Sequence, residues 1–210
     1  MPHNYGLISA IDAGVIEKTI DLICEKFTEG VINVLEVGVY AGDTGMGITN
    51  YLCSKNRDCF LTGVDNMRDG EKIRTNYDKL IIGNSNEVYN QIEPESQDFV
   101  FIDGCHTYPM VISDFYCYSP KVKKGGFILF HDTGVHINPL HGYQGVGDPN
   151  DPDMCLGGVR KALNSIKLLY DDSPVIGAIV NQHEFGEFQL IFDEADPNDE
   201  AGGICCFKKI

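Results

Sequence analysis

Five short apolar runs, each ending in a polar residue or a glycine or running straight into one, constrain this 210-residue chain more than any other feature of its sequence. They are VINVLEV (31–37), CFLTGVD (59–65), KLIIG (79–83), DFVFID (98–103) and FILFHD (127–132). They lack the polar alternation of a sheet with one wet face, so each is expected to be a strand buried on both sides. Helical spacing returns between them. Ser9 and Asp12 form a capping box ahead of Ile16, Ile20, Ile23 and Phe27, and Gly30 ends that first helix. Further helices are expected over 44–55, around 70–79, over 86–92 and over 158–169. Another follows the stripe Tyr108, Val111, Ile112 and Phe115 and is broken by Gly125-Gly126. Strands alternating with helices give an α/β, doubly wound, mostly parallel sheet with helices on both faces. FGEFQLIFD (185–193) and GICCFKK (203–209) are expected to close it as an antiparallel pair, while VIGAIVN (175–181) fits strand or helix. The chain is expected to form a single domain over 1–210, with an N-terminal helical segment at 1–30. The glycine- and proline-rich stretch 134–157 is too long for an ordinary connection and is expected to be a lid or substrate loop.

A formal net charge of −15 and a pI of about 4.6 argue against nucleic acid or an anionic membrane as a partner. No apolar run approaches the roughly 18 residues of a membrane span. The N-terminus, MPHNYGLISA, lacks the basic-then-apolar pattern of a secretory signal. The eight cysteines include no C-x-x-C pair and lie mostly in apolar segments. They are expected to be reduced thiols in a cytoplasmic chain.

In a doubly wound sheet, ligands bind beyond the carboxyl ends of the strands. Those ends carry Glu36, Gly38 and Gly42; Asp65; Gly83-Asn84-Ser85; Asp103 with His106; and His131-Asp132-Thr133. Any one of these could be a helix cap or a turn, but five at one edge suggest a site. The first turn, VLEVGVYAGDTG (34–45), has G-x-x-x-G spacing, not the G-x-G-x-x-G that receives a pyrophosphate. Carboxylates around such a turn would repel phosphates. They suit an adenosine ligand that carries positive charge, and Asp65 is placed to accept from both ribose hydroxyls. S-adenosylmethionine has that combination of a ribose, an ammonium and a sulfonium.

The first turn resembles the opening motif of class I S-adenosylmethionine-dependent methyltransferases, E-x-G-x-x-x-G-x-T. The resemblance continues through LTGVD, IIGNS, DFVFIDGCHTY and GGFILFHDT, in family order, over roughly residues 30–135. In detail it is similar to small O-methyltransferases of the catechol O-methyltransferase type, and within them to a bacterial branch acting on sugars and natural products. The resemblance implies a Rossmann-like sheet of seven strands. It implies that Gly38, Tyr40, Gly42 and Thr44 hold the methionine part, with Glu36 in the same motif. Asp65 would serve the ribose, Ser85 and its neighbours the adenine, Asn66 would also bind the cofactor, and Asp103 would lie beside the methyl group. The catechol enzymes bind magnesium through two aspartates and an asparagine, with a lysine as base. The matching positions here are Asp103, Asp132, Thr133 and, for the lysine, His106.

Methyl transfer to a hydroxyl is an in-line displacement governed by orientation. The acceptor must also lose a proton, to a base or with help from a divalent metal. His106, with an ordinary pKa near 6.5, is a candidate base; it could also merely cap the helix that follows. Asp103 and Asp132 could hold Mg2+ or another divalent cation, with Thr133 or water completing the shell. His131 precedes Asp132 by one residue and is expected to face the other side of the strand, bonded in the core. His136 and His141 are expected to be solvated. The expected function is O-methylation of a small-molecule acceptor. A module that binds the cofactor without catalysis is the alternative, and a nicotinamide oxidoreductase is disfavoured by the missing G-x-G-x-x-G. The sequence leaves a homo-oligomer open.

Overall fold

The computed structural model describes residues 3–66, 77–133, 158–169, 176–182, 185–194 and 202–210. The loop 134–157, with His136 and His141, and residues 70–76 of the helix expected around 70–79 lie outside them; residues 77 and 78 are not helical and Lys79 already starts a strand. Helix α1 (Ala10–Lys26) starts at the N-cap Ser9, whose hydroxyl accepts from the Asp12 N–H. Then follow β1 (Ile32–Val37), α2 (Asp43–Ser54), β2 (Cys59–Asp65), β3 (Lys79–Ile82), α3 (Ser85–Val88) and β4 (Gln97–Ile102). The second half holds α4 (Tyr108–Tyr118), β5 (Val122–His131), α5 (Gly158–Ser165), β6 (Ile179–Asn181), β7 (Glu187–Glu194) and β8 (Ile204–Lys209).

The strands form one sheet in the order β3-β2-β1-β4-β5-β8-β7-β6. β1 to β5 are mutually parallel, and β8, β7 and β6 add antiparallel. The class is the expected Rossmann-like one, with eight strands instead of seven. The additional strand is β6, cut from the ambiguous 175–181 run, which pairs with β7 along the sheet edge. The order reverses between β1 and β4, where a doubly wound sheet opens a crevice at its carboxyl edge.

Side chains alternate between two cores, one on each face. Leu35, Val37, Val100, Ile102, Ile128 and Phe130 pack under α3, α4 and α5. Val34, Phe99, Phe101, Phe127 and Leu129 pack against α1 and α2, with Ile16, Ile20 and Ile23. Three helical boundaries differ from expectation. α3 stops at Val88, and Tyr89–Gln91 of the expected 86–92 helix form a 3-10 turn. α4 stops at Tyr118, before Ser119-Pro120, because proline cannot continue the helical hydrogen bonds. Gly125-Gly126 therefore lie inside β5, where the β4–β5 register shifts between Gln97 and Phe99 and Gly125 takes φ of 83°. α5 ends at Ser165, short of 169, where Lys167 turns left-handed and Leu168 N–H returns to the Leu163 carbonyl. The seven described cysteines are free; Cys155 lies outside the described residues. No described helix is long and apolar enough to cross a membrane.

Candidate active site

β1 runs into a turn in which Gly38, Tyr40 and Gly42 take positive φ of 90°, 47° and 82°. A Cβ on Gly38 would lie 2.1 Å from the Asp103 carbonyl oxygen. The glycine is thus already demanded by the β1–β4 backbone approach, where Asp103 N–H donates to the Val37 carbonyl at 2.8 Å. Asp65, at the end of β2, holds the turn. Its Oδ2 accepts from Val39 N–H at 2.8 Å and Tyr40 N–H at 2.9 Å. Tyr40 is 70% exposed and Thr44 is buried in the first turn of α2. Asn66, just past β2, is exposed.

Glu36, expected among the cofactor-binding residues, is engaged within the protein instead. It is buried and accepts from Tyr77 Oη at 2.5 Å. Burial pushes its carboxyl up to about 8, against the hydrogen bond from Tyr77, so it is mostly protonated at neutral pH. Ser85 opens α3, and its hydroxyl donates to Asp114 Oδ1 at 2.6 Å. Burial raises that carboxyl to about 6, and Tyr118 Oη donates to the Ser85 carbonyl.

Beyond β4 and β5, four side chains close a ring. His106 sets Nε2 3.3 Å from Asp103 Oδ1 and Nδ1 3.0 Å from Asp132 Oδ2. His131 sets Nδ1 3.1 Å from Asp103 Oδ1 and 3.5 Å from Asp132 Oδ1. Burial opposes the charged forms, but the ion pairs prevail. Asp103 is held down to about 2 and Asp132 well below the usual carboxylate range. His106 is raised to about 10 and His131 well above its ordinary value. His106 therefore does not titrate near neutrality in this arrangement, unlike the base expected from its ordinary pKa. Asp103, His131 and Asp132 can each turn one ligand atom to within 4.8 Å of the others, and two carboxylates with one imidazole fit a divalent cation.

Strand alternation explains part of this ring. Asp103 continues the Phe99–Phe101 face and His131 the Phe127–Leu129 face, so both point toward α1. Asp132 should point the other way and does not, because its φ of 55° ends the strand's alternation. The expectation that His131 and Asp132 face opposite sides is thereby corrected, although His131 is also bonded in the core as expected. Its Nε2 lies 3.3 Å from Asp12 Oδ2. Asp12 was legible as a helix cap but not as a partner of this ring. The signal for it was its place at the start of the buried stripe that continues through Val15, Ile16, Thr19 and Ile20. Thr133 is fully buried; its N–H donates to Gly203, its carbonyl accepts from Arg160 Nε at 2.6 Å, and its hydroxyl has no hydrogen-bond partner.

Residues 35–133 match the family model described as a methyltransferase domain. The chain has the class I methyltransferase fold. A candidate caffeoyl-CoA O-methyltransferase from Staphylococcus aureus superposes with a TM-score of 0.58 at 15% identity, covering 97% of this chain and 86% of that one. The MycE methyltransferase of the mycinamycin pathway, in complex with Mg and SAH, gives 0.53 at 18% identity, with 98% and 51% covered. Fibrillarin, a pre-rRNA processing protein of Methanococcus jannaschii, also gives 0.53, at 13% identity, with 96% and 74% covered. One class I methyltransferase fold thus spans neighbours with different described roles, and the fold alone does not name an acceptor. By sequence, an uncharacterized protein of Acanthamoeba polyphaga mimivirus is 29% identical over 126 residues, 52% of this chain and 55% of that protein. The chain spans about half the length of that curated relative.

Proposed function

We propose that this chain transfers the methyl group of S-adenosylmethionine to a hydroxyl of a small-molecule acceptor. The observation that carries this is the ring of Asp103, His106, His131 and Asp132, one strand away from the Gly38 turn. A methyl-transferring class I fold needs a cofactor turn and a proton-handling group side by side, and the adjacency of β1 and β4, which brings the Gly38 turn next to the ring, supports that reading. In this proposal Gly38, Tyr40, Gly42 and Thr44 line the methionine part, Asp65 and Asn66 bind the ribose, and Ser85 borders the adenine. Glu36 lies beneath the turn as a neutral acid, and Asp103 adjoins the methyl group. The net charge of −15 on the chain suits a cationic cofactor and an uncharged acceptor. A divalent cation held by Asp103 and Asp132, with Thr133 or water, would supply Lewis acidity that lowers the acceptor's pKa. His106 holds a proton in the ring, paired with both carboxylates; a cation engaged by Asp103 and Asp132 would weaken that pairing and free His106 to take the acceptor's proton.

Calorimetric titration with S-adenosylmethionine and with NAD, followed by a transfer assay over hydroxylated acceptors, tests the proposal. Binding of S-adenosylmethionine alone and turnover with at least one acceptor is the expected result. Preference for NAD would overturn it, and cofactor binding with no turnover across sugars, phenols and polyketides would leave a binding module in its place. Loss of turnover with chelator, restored by Mg2+ or Mn2+, is the expected mark of the cation.

A further inference from the structure

The cation part of that proposal assigns two aspartates and leaves the third ligand to Thr133 or water. We infer that the third protein ligand is His131 through Nδ1, that Asp12 of α1 is its positioning residue, and that the site therefore selects a transition-metal dication over Mg2+. The inference rests on the proposed cation and adds the ligand, its support and the selectivity.

Three observations carry it. First, His131 Nδ1 faces Asp103 Oδ1 and Asp132 Oδ1 at 3.1 and 3.5 Å, and these three residues converge within ligand distance of one another. Second, the opposite ring nitrogen, Nε2, lies 3.3 Å from Asp12 Oδ2. Asp12 is fully buried, and its Oδ2 is itself fixed by Ser9 Oγ at 2.9 Å and Gly203 N–H at 3.3 Å. A carboxylate that accepts from Nε2–H leaves the lone pair on Nδ1 and makes the imidazole a better donor. Third, Asp12 Oδ1 has no hydrogen-bond partner, which is costly for a buried carboxylate unless positive charge stands close by. An all-oxygen shell suits Mg2+, whereas an imidazole beside two carboxylates suits Mn2+, Fe2+, Co2+ or Zn2+.

Metal-stripped full-length protein titrated with Mn2+ tests this without any turnover. The free-ion electron paramagnetic resonance signal reports uptake, and pulsed detection of nitrogen coupling reports a bound imidazole. The expected result is uptake with nitrogen coupling, retained in His106→Gln and lost in His131→Gln. Asp12→Asn keeps an oxygen for Ser9 and Gly203 but lowers Mn2+ affinity by about 10- to 100-fold. His131→Asp shifts the preference from Mn2+ toward Mg2+. Mn2+ uptake without nitrogen coupling in the wild-type protein would overturn the inference and leave the cation on the aspartates. No uptake at all would overturn both this inference and the cation part of the proposed function. Wild-type Mn2+ affinity in Asp12→Asn would remove Asp12 from the site.

Discussion

Asp65→Ala separates two roles that the structure gives to one carboxylate. Its Oδ2 accepts from the amides of Val39 and Tyr40, which bend the turn through three residues with positive φ. Hydrogen bonds to a charged group contribute about 1.5–3 kcal/mol each when buried. Here Tyr40 is exposed and water can replace the carboxylate, so about 1 kcal/mol per amide, and 1–2 kcal/mol in all, is the expected loss of folding stability. If the same carboxylate also takes the ribose hydroxyls, cofactor binding loses a further 1.5–3 kcal/mol or so, which is about 10- to 150-fold in Kd. Asp65→Asn divides the two. Its remaining carbonyl oxygen still serves the turn amides, so stability should stay near wild type while affinity falls by about tenfold through loss of the charge. Calorimetric titration with S-adenosylhomocysteine gives the affinities, and urea unfolding gives the stabilities. A folded Asp65→Ala protein that binds the cofactor within about twofold of wild type would refute the ribose assignment. An unchanged urea midpoint would refute the turn assignment.

Glu36→Gln should produce a pH-dependent gain in stability. The Glu36 carboxyl rises from 4.5 to about 8 on folding, so its contribution is complete below the unfolded value and is lost as pH rises through about 8. Glutamine stays uncharged throughout, so the variant should gain on the order of 3 kcal/mol relative to wild type between pH 5 and pH 8 in urea unfolding; a difference that does not vary with pH would contradict it. Gly38→Ala should cost about 3 kcal/mol or more, because it combines a strained positive φ with a Cβ 2.1 Å from the Asp103 carbonyl. A thermal midpoint equal to wild type would show that the β1–β4 approach is not fixed as described.

The sequence by itself determined the class of fold and the edge where chemistry gathers. Buried parallel strands must be apolar on both faces, so their runs are continuous, and the first polar group after each run must sit at the carboxyl edge. Glu36, Asp65, Asp103 and Asp132 were legible for that reason, as was the closing β7–β8 pair. What lies across the chain was not legible. Tyr77 on Glu36, Asp114 on Ser85 and Asp12 on His131 join residues 41, 29 and 119 positions apart. Such pairs depend on how helices cross the sheet, and no local period encodes that. The eighth strand depended on an edge being open beside β7, since the 175–181 run carries no pattern that prefers strand to helix. The turn at Asp132 was decided by tertiary structure as well. Alternation placed His131 and Asp132 on opposite faces, and one residue in the left-handed region brought both carboxylates and both imidazoles together. A left-handed aspartate costs backbone energy that its own sequence neighbours do not offset, so the ring it completes has to hold it there.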